Sequence, residues 1–259
     1  MHTPATLHAF RLHLGLDPAD SADDARLIHA LRAASAHLER LAGRRFSPRR
    51  ESIVHRTDPR SRTLLLRDDL LALAALTDAV SGQPVPLASV VCLPEGGGPF
   101  YGLRRADGGA FPAALTVEGI WGWHDLWAEA WTASGDAVQN SPLAADAATI
   151  SVQDADGPAA DGASPRFQAG QLLRVEDEYL RLLAVDAQSN TLTTARGAHG
   201  TAAAAHSGGS AIAIYRPAPD VELLCLRWAA WLYREPDAAP AALPPALLAA
   251  LEPLRRSGI

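Results

Sequence analysis

Apolar residues recur at helical spacing most densely in PAPDVELLCLRWAAWLYREPD, residues 217–237, where Val221, Leu224, Cys225, Trp228 and Leu232 advance by threes and fours. Leu223, Leu226, Trp231 and Tyr233 fill much of the opposite side, and only Glu222, Arg227 and Arg234 are charged. The pattern predicts a helix with Asp220 as N-cap, Glu222 in the first turn and Pro236 as its stop. So apolar a circumference needs cover on two sides, from its own domain and from a further surface such as another subunit. A second stripe, Leu27, Leu31, Ala34, Leu38 and Leu41, predicts a helix over Asp23–Ala42. Asp23 and Asp24 suit its positive end, Arg40, Arg44 and Arg45 its negative end, and Gly43 its C-cap. These two helices are expected to pack together. A third stripe, Leu247, Leu248, Leu251 and Leu254, starts at Pro244 and Pro245 and is expected to stop at Pro253, leaving Arg255, Arg256 and Ile259 as a basic–apolar tail.

Between the first two helices the period changes from helical to alternating. Ser52–His55 reads as a strand with Thr63–Leu66 as its antiparallel mate, and β-like segments follow to Val91 with turn residues at Gly82, Pro84 and Pro86. Leu115, Val117, Gly119 and Trp121 alternate along another strand, with Gly108-Gly109 as a hairpin turn before it. Trp121, Trp123, Trp127 and Trp131 form an aromatic group, expected to pack between elements. Small, polar, glycine and proline residues then dominate, and short strands follow in TISVQD, QLLRVEDEYLRLLAV, NTLTTA and AIAIY, with a tight turn at Asp177. The pattern predicts an α+β chain. Its helical and β-hairpin core is discontinuous, over 1–143 and 216–259, and an all-β module, a small barrel or sandwich, is inserted at 144–215.

Composition bounds the function classes. The 259 residues, 48% hydrophobic, suffice for one large domain or two modest ones. No apolar run reaches the ~20 residues of a membrane span, and the N-terminus lacks a signal-peptide layout. A chain made and assembled in the cytosol is the expectation. Cys92 and Cys225, in a strand-like and a helix-like segment, are expected to be buried thiols and not a disulfide. The net charge of −6 argues against a dedicated nucleic-acid binder. From Arg40 to Arg67, however, nine arginines face only Glu51 and Asp58. Two readings fit: solvated arginines on a helix end and strand edge, or a patch for an acidic partner or a phosphate backbone.

Candidate chemistry is sparse. His199 and His206 match no common zinc spacing, Glu176, Asp177 and Glu178 read as solvated turn acids, and the PEGGGPFYG loop lacks the Lys-Ser/Thr of a phosphate loop. No nucleophile elbow, HExxH or dinucleotide fingerprint occurs. No catalytic residue, metal or cofactor is assigned, and a non-enzymatic role is expected.

Taken in order, LIHALRAASAHLERLAGRRF, TLLLRDDLLALAALTDAVSGQPV, LTVEGIWGWHD and APDVELLCLRWAAWLYRE resemble the head–tail connector (adaptor) proteins of tailed bacteriophages. NTLTTARGAHGTAAAAHSGG is similar to a β module of phage structural proteins. The resemblance implies a homo-oligomeric ring, usually of twelve subunits, in the virion neck. Such a ring docks on the portal protein, meets downstream stopper or tail proteins, and passes double-stranded DNA without reading its sequence; no membrane is involved. It further implies a portal-binding tail, here Leu251, Leu254, Arg255, Arg256 and Ile259. Leu224, Trp228, Trp231 and Tyr233, with Arg44 and Arg45, are the candidate subunit-interface residues. The competing expectation is a carbohydrate- or cell-wall-binding module using Trp121, Trp123 and Trp127, which requires exposed, coplanar indoles.

Overall fold

Residues 3–58, 60–235 and 243–256 are described by the computed structural model. The fold is α+β, and the chain divides into two compact units: residues 43–127 with 256–259, and residues 1–42 with 128–255. We call them the five-stranded unit and the helical unit.

In the five-stranded unit, β1 (Arg49–Arg56), β2 (Thr63–Asp78), β3 (Val90–Leu93), β4 (Phe100–Arg105) and β5 (Ala114–Trp121) form an antiparallel sheet in the order β1-β5-β2-β4-β3. The expected mate of β1 is therefore corrected. β1 pairs along its length with β5, from Arg49↔Trp121 to Arg56↔Ala114, and β2 lies beyond β5. The reason lies in β2, whose register shifts at Leu65/Leu70 against β4 and at Leu70/Ala72 and Leu73/Ala75 against β5. Such irregularities bend a strand, so its first half pairs with β4 and its second with β5. The Gly108 turn likewise joins strands that are not neighbours, since β2 separates β4 from β5. The alternation read in β5 holds: Leu115, Val117, Gly119 and Trp121 face inward, into a core with Leu64, Leu70, Leu76, Leu103 and Phe111. Gly119 is required there, because a Cβ would sit 2.3 Å from the carbonyl oxygen of Ala72.

The helical unit holds α1 (Leu7–Leu14), α2 (Asp24–Ala42), α3 (Pro219–Arg234) and α4 (Pro245–Leu251). α2 buries Leu27, Leu31, Ala34 and Leu38, and Gly43 follows at φ +64°, as a C-cap glycine does. α1 is an addition to the sequence reading: the Thr6 hydroxyl caps it by accepting the Ala9 N–H, Gly15 closes it, and Phe10 is buried. α3 begins two residues earlier than the sequence predicts, with Ala218 and not Asp220 at the N-cap position. Pro219 opens it behind Ala218, which makes no side-chain cap, and Asp220 and Glu222 lie together in the first turn, where their charge suits the dipole. Pro236, the expected stop, lies outside the described residues. α3 packs on α1, α2 and α4, with Trp228 edge-on to His37 at 6.1 Å.

The same unit carries β6 (Trp131–Ala137), β7 (Thr149–Ser151), β8 (Leu172–Val175), β9 (Glu178–Asp186), β10 (Thr191–Ala195) and β11 (Ala211–Tyr215), in the order β6-β11-β8-β9-β10-β7. Among the described residues this sheet is not a closed barrel. Its two edge segments do meet: the Gln139 N–H donates to the Ser151 carbonyl at 2.8 Å, and the Ser151 N–H donates to Asn140 Oδ1 at 2.8 Å. Val138, Leu143, Ile150, Phe167, Leu173 and Ile212 contribute to its core.

Candidate functional site

The residues expected at a subunit interface divide by depth. Leu224 and Trp228 lie in the core of the helical unit, at 2% and 0% exposure, so they present no surface to a second copy. α3 finds most of the cover it needs among α1, α2 and α4, leaving Leu223 and Arg227 exposed. Trp231 is half-buried in a groove with His13, Arg227, Arg234 and Leu247. Tyr233 is also half-buried; its hydroxyl donates to Asp23, which lowers that carboxyl, and the Arg26 guanidinium stands 4.8 Å above its ring. Cys225 is buried among these helices, and burial pushes its thiol up to about 12, an inert state. Both cysteines are free, Cys92 half-buried.

Arg44 and Arg45 belong to the five-stranded unit. Arg44 is largely covered, 3.5 Å from Asp69 and 5.4 Å from the centre of the Trp123 ring. Burial dominates that pair, raising the Asp69 carboxyl and lowering Arg44. Arg45 bridges Glu51 at 3.0 Å and Asp68 at 3.8 Å. Trp121 is fully buried, stacked on His55 and donating its indole N–H to the Glu51 carbonyl at 2.9 Å. Trp123 is buried edge-on to Phe46. Neither indole offers a sugar-stacking face. Trp131 instead packs with Tyr179 and Tyr215 in the helical unit.

In the expected portal-binding tail, Leu251 and Leu254 are buried, Arg255 pairs with Glu252 at 3.3 Å, and Arg256 donates to the Leu66 carbonyl at 2.6 Å. Ile259 lies outside the described residues.

The structure also holds a buried ionic cluster that the sequence reading assigned to solvent. Glu176 and Asp177 form the two-residue turn between β8 and β9, and Glu178, paired with Val175, turns inward to 2% exposure. Its carboxylate accepts from Arg196 at 2.8 and 2.7 Å, from the N–H groups of Gly197 at 2.8 Å and Ala204 at 3.0 Å, and meets His206 Nε2 at 2.8 Å. Burial alone would raise this carboxyl, but those hydrogen bonds outweigh it and hold Glu178 down at about 2. The other His206 nitrogen lies 3.2 Å from Glu176, and both contacts are donated bonds only when the ring carries both protons. Arg196 also donates to the carbonyls of Ala144, Ala147 and Ala204, so the β6–β7, β8–β9 and β10–β11 connections share one set of charges. A second cluster joins Arg166 to Asp154 at 2.9 Å and Asp136 at 3.6 Å. The Glu178 cluster is satisfied internally, whereas Arg166 Nε in the second is buried without a hydrogen-bond partner; both tie loops to the sheet. Among the described residues, no group of three or more His, Cys, Asp or Glu is placed to hold a metal ion, and no helix is long and apolar enough to cross a membrane.

The remaining feature is the arginine-rich segment. Arg50, Arg56, Arg60, Arg62 and Arg67 are exposed, and among the described residues none makes an ion pair. In the same unit Arg44, Arg45, Arg104 and Arg105 are all paired with carboxylates.

No family model matches the chain, and no curated protein matches it. Among solved structures it is similar to a chain described as "Neck of empty GTA particle computed with C6 symmetry", with 15% identity, 98% of this chain and 90% of that one covered, and a TM-score of 0.46.

Proposed function

We propose that the chain is a structural, non-catalytic subunit of a phage head–tail connector ring. In this reading it is an adaptor that docks on the portal protein, joins head to tail and forms part of the DNA channel of the virion neck, after assembly in the host cytoplasm. One observation carries the reading: the order of elements matches the order in the connector family. A long N-terminal helix (α2) leads into a β region whose last strand (β5) ends in EGIW, followed directly by Gly122-Trp123, and a closing helix pair (α3 and α4) follows the inserted β strands. The module expected at 144–215 contains β7 to β11, and its sixth strand, β6, lies just upstream.

Ring closure requires two different, complementary side surfaces on each copy. With Leu224 and Trp228 inside the helical unit, the proposed contacts from α3 reduce to its open side, Leu223, Arg227 and the half-buried Trp231 and Tyr233. Leu251 and Leu254 then act as anchors that hold the tail to the helices, and Arg255 to Ile259 are proposed to reach the portal. Truncation after Leu254 keeps both anchors in place. The truncated chain is expected to stay folded and to lose portal binding in a pull-down; undiminished binding would refute the tail assignment.

A further inference from the structure

Each copy carries a net charge of −6, so copies brought side by side repel unless opposite charges meet at the contact. The charge is not spread evenly. The five-stranded unit has 11 arginines and nine acidic residues, a net +2, whereas the helical unit has 12 arginines and 20 acidic residues, a net −8. Within the positive unit the excess sits in one segment, on Arg50 and Arg56 of β1, Arg60 and Arg62 of the loop, and Arg67 of β2. Arg50 and Arg56 alternate with Ser52 and Val54, which are exposed as well, along a strand that pairs only with β5. Five exposed guanidinium groups make no ion pair among the described residues, whereas Arg44, Arg45, Arg104 and Arg105 of the same unit each have a carboxylate and the half-buried Arg256 donates to the Leu66 carbonyl; the exposed five are a surface short of its counter-charges.

We propose that this arginine face is one side of the contact between copies of this chain, and that it docks on the acidic helical unit of the next copy. The inference rests on the ring reading above and supplies what that reading lacks, a pair of unlike surfaces of opposite sign on one chain. A head-to-tail contact of this kind uses the positive face of each copy and the negative unit of its neighbour, so it repeats around a ring instead of ending at a dimer. Screening at physiological salt acts over about 8 Å. The overall repulsion between copies is therefore damped, while charges meeting at the contact keep their attraction.

The test compares the full chain with a variant carrying R50E, R56E, R60E and R62E, and with the corresponding four-fold Arg→Lys variant. Association is measured by analytical ultracentrifugation at low and high salt, alone and with portal protein, and circular dichroism checks folding. The wild type is expected to assemble, more weakly as salt rises. The Arg→Glu variant should remain folded and associate roughly tenfold or more weakly, since several individually weak exposed pairs turn repulsive together. The Lys variant should retain most of the association. Unchanged assembly of the Arg→Glu variant, with the wild type forming rings, would overturn this inference and leave the ring reading standing. So would an Arg→Glu variant that still assembles but loses binding to a labelled 30-base-pair duplex, which would assign the face to nucleic acid. A wild type that never associates would overturn both.

Discussion

Glu178 shows how far a single residue departs from what its neighbours in the sequence suggest. Three acids in a row look like a solvated turn, and Glu176 and Asp177 do occupy one. Glu178 is the first residue of β9, and its partners come from far along the chain, Arg196 at 18 positions and His206 at 28. No local spacing rule connects them. The available hint was compositional: Arg196 and His206 are long polar side chains in a stretch otherwise of small residues, TARGAHGTAAAAH. Because the folded state depresses this carboxyl to about 2, below its unfolded value near 4.3, Glu178 adds stability above pH ~4.3 that is lost as pH falls toward about 2. Glu178→Gln is expected to cost on the order of 3–5 kcal/mol at neutral pH, because it leaves the buried Arg196 guanidinium without its counter-charge. Urea unfolding as a function of pH checks this. The gap between wild type and variant should be largest at neutral pH and narrow as acid protonates the wild-type carboxyl; a pH-independent gap would show that the charge is not what matters.

At the scale of elements, periodicity carried most of the information. The stripe in α2 and the alternation in β5 both face the cores they were expected to face, because each depends on local geometry alone. Pairing did not follow from adjacency. β1 and β2 are consecutive, but the bulges of β2 let β5 come between them, and nothing in either strand's own pattern announces a third strand some fifty residues away. The helix α1 was missed because eight residues with one buried side chain, Phe10, make only a weak stripe. Gly119 marks where β5 and β2 approach most closely. Gly119→Ala would bring its methyl to 2.3 Å from the Ala72 carbonyl oxygen and 2.7 Å from Leu70. A backbone atom cannot step aside as a flexible side chain does, so the substitution is expected to cost about 1–3 kcal/mol or more. A thermal unfolding scan showing an unchanged midpoint would contradict this packing.

For the whole molecule, the residue pattern of α3 predicts more apolar surface than one domain covers. The structure places most of that surface inside the helical unit, where α1, an element absent from the sequence reading, helps to cover α3. Association between copies must therefore draw on other surfaces, and the uneven charge of the two units is the strongest one visible. That asymmetry was half legible: the arginine-rich run stands out in the sequence, but only the structure separates the arginines already paired, such as Arg44 and Arg45, from those left open. The most direct measurement is electron microscopy of the purified full-length chain, alone and mixed with assembled portal. The account predicts rings of this chain stacked coaxially on the portal. Single particles of one-chain mass in both samples, with portal rings left bare, would contradict it.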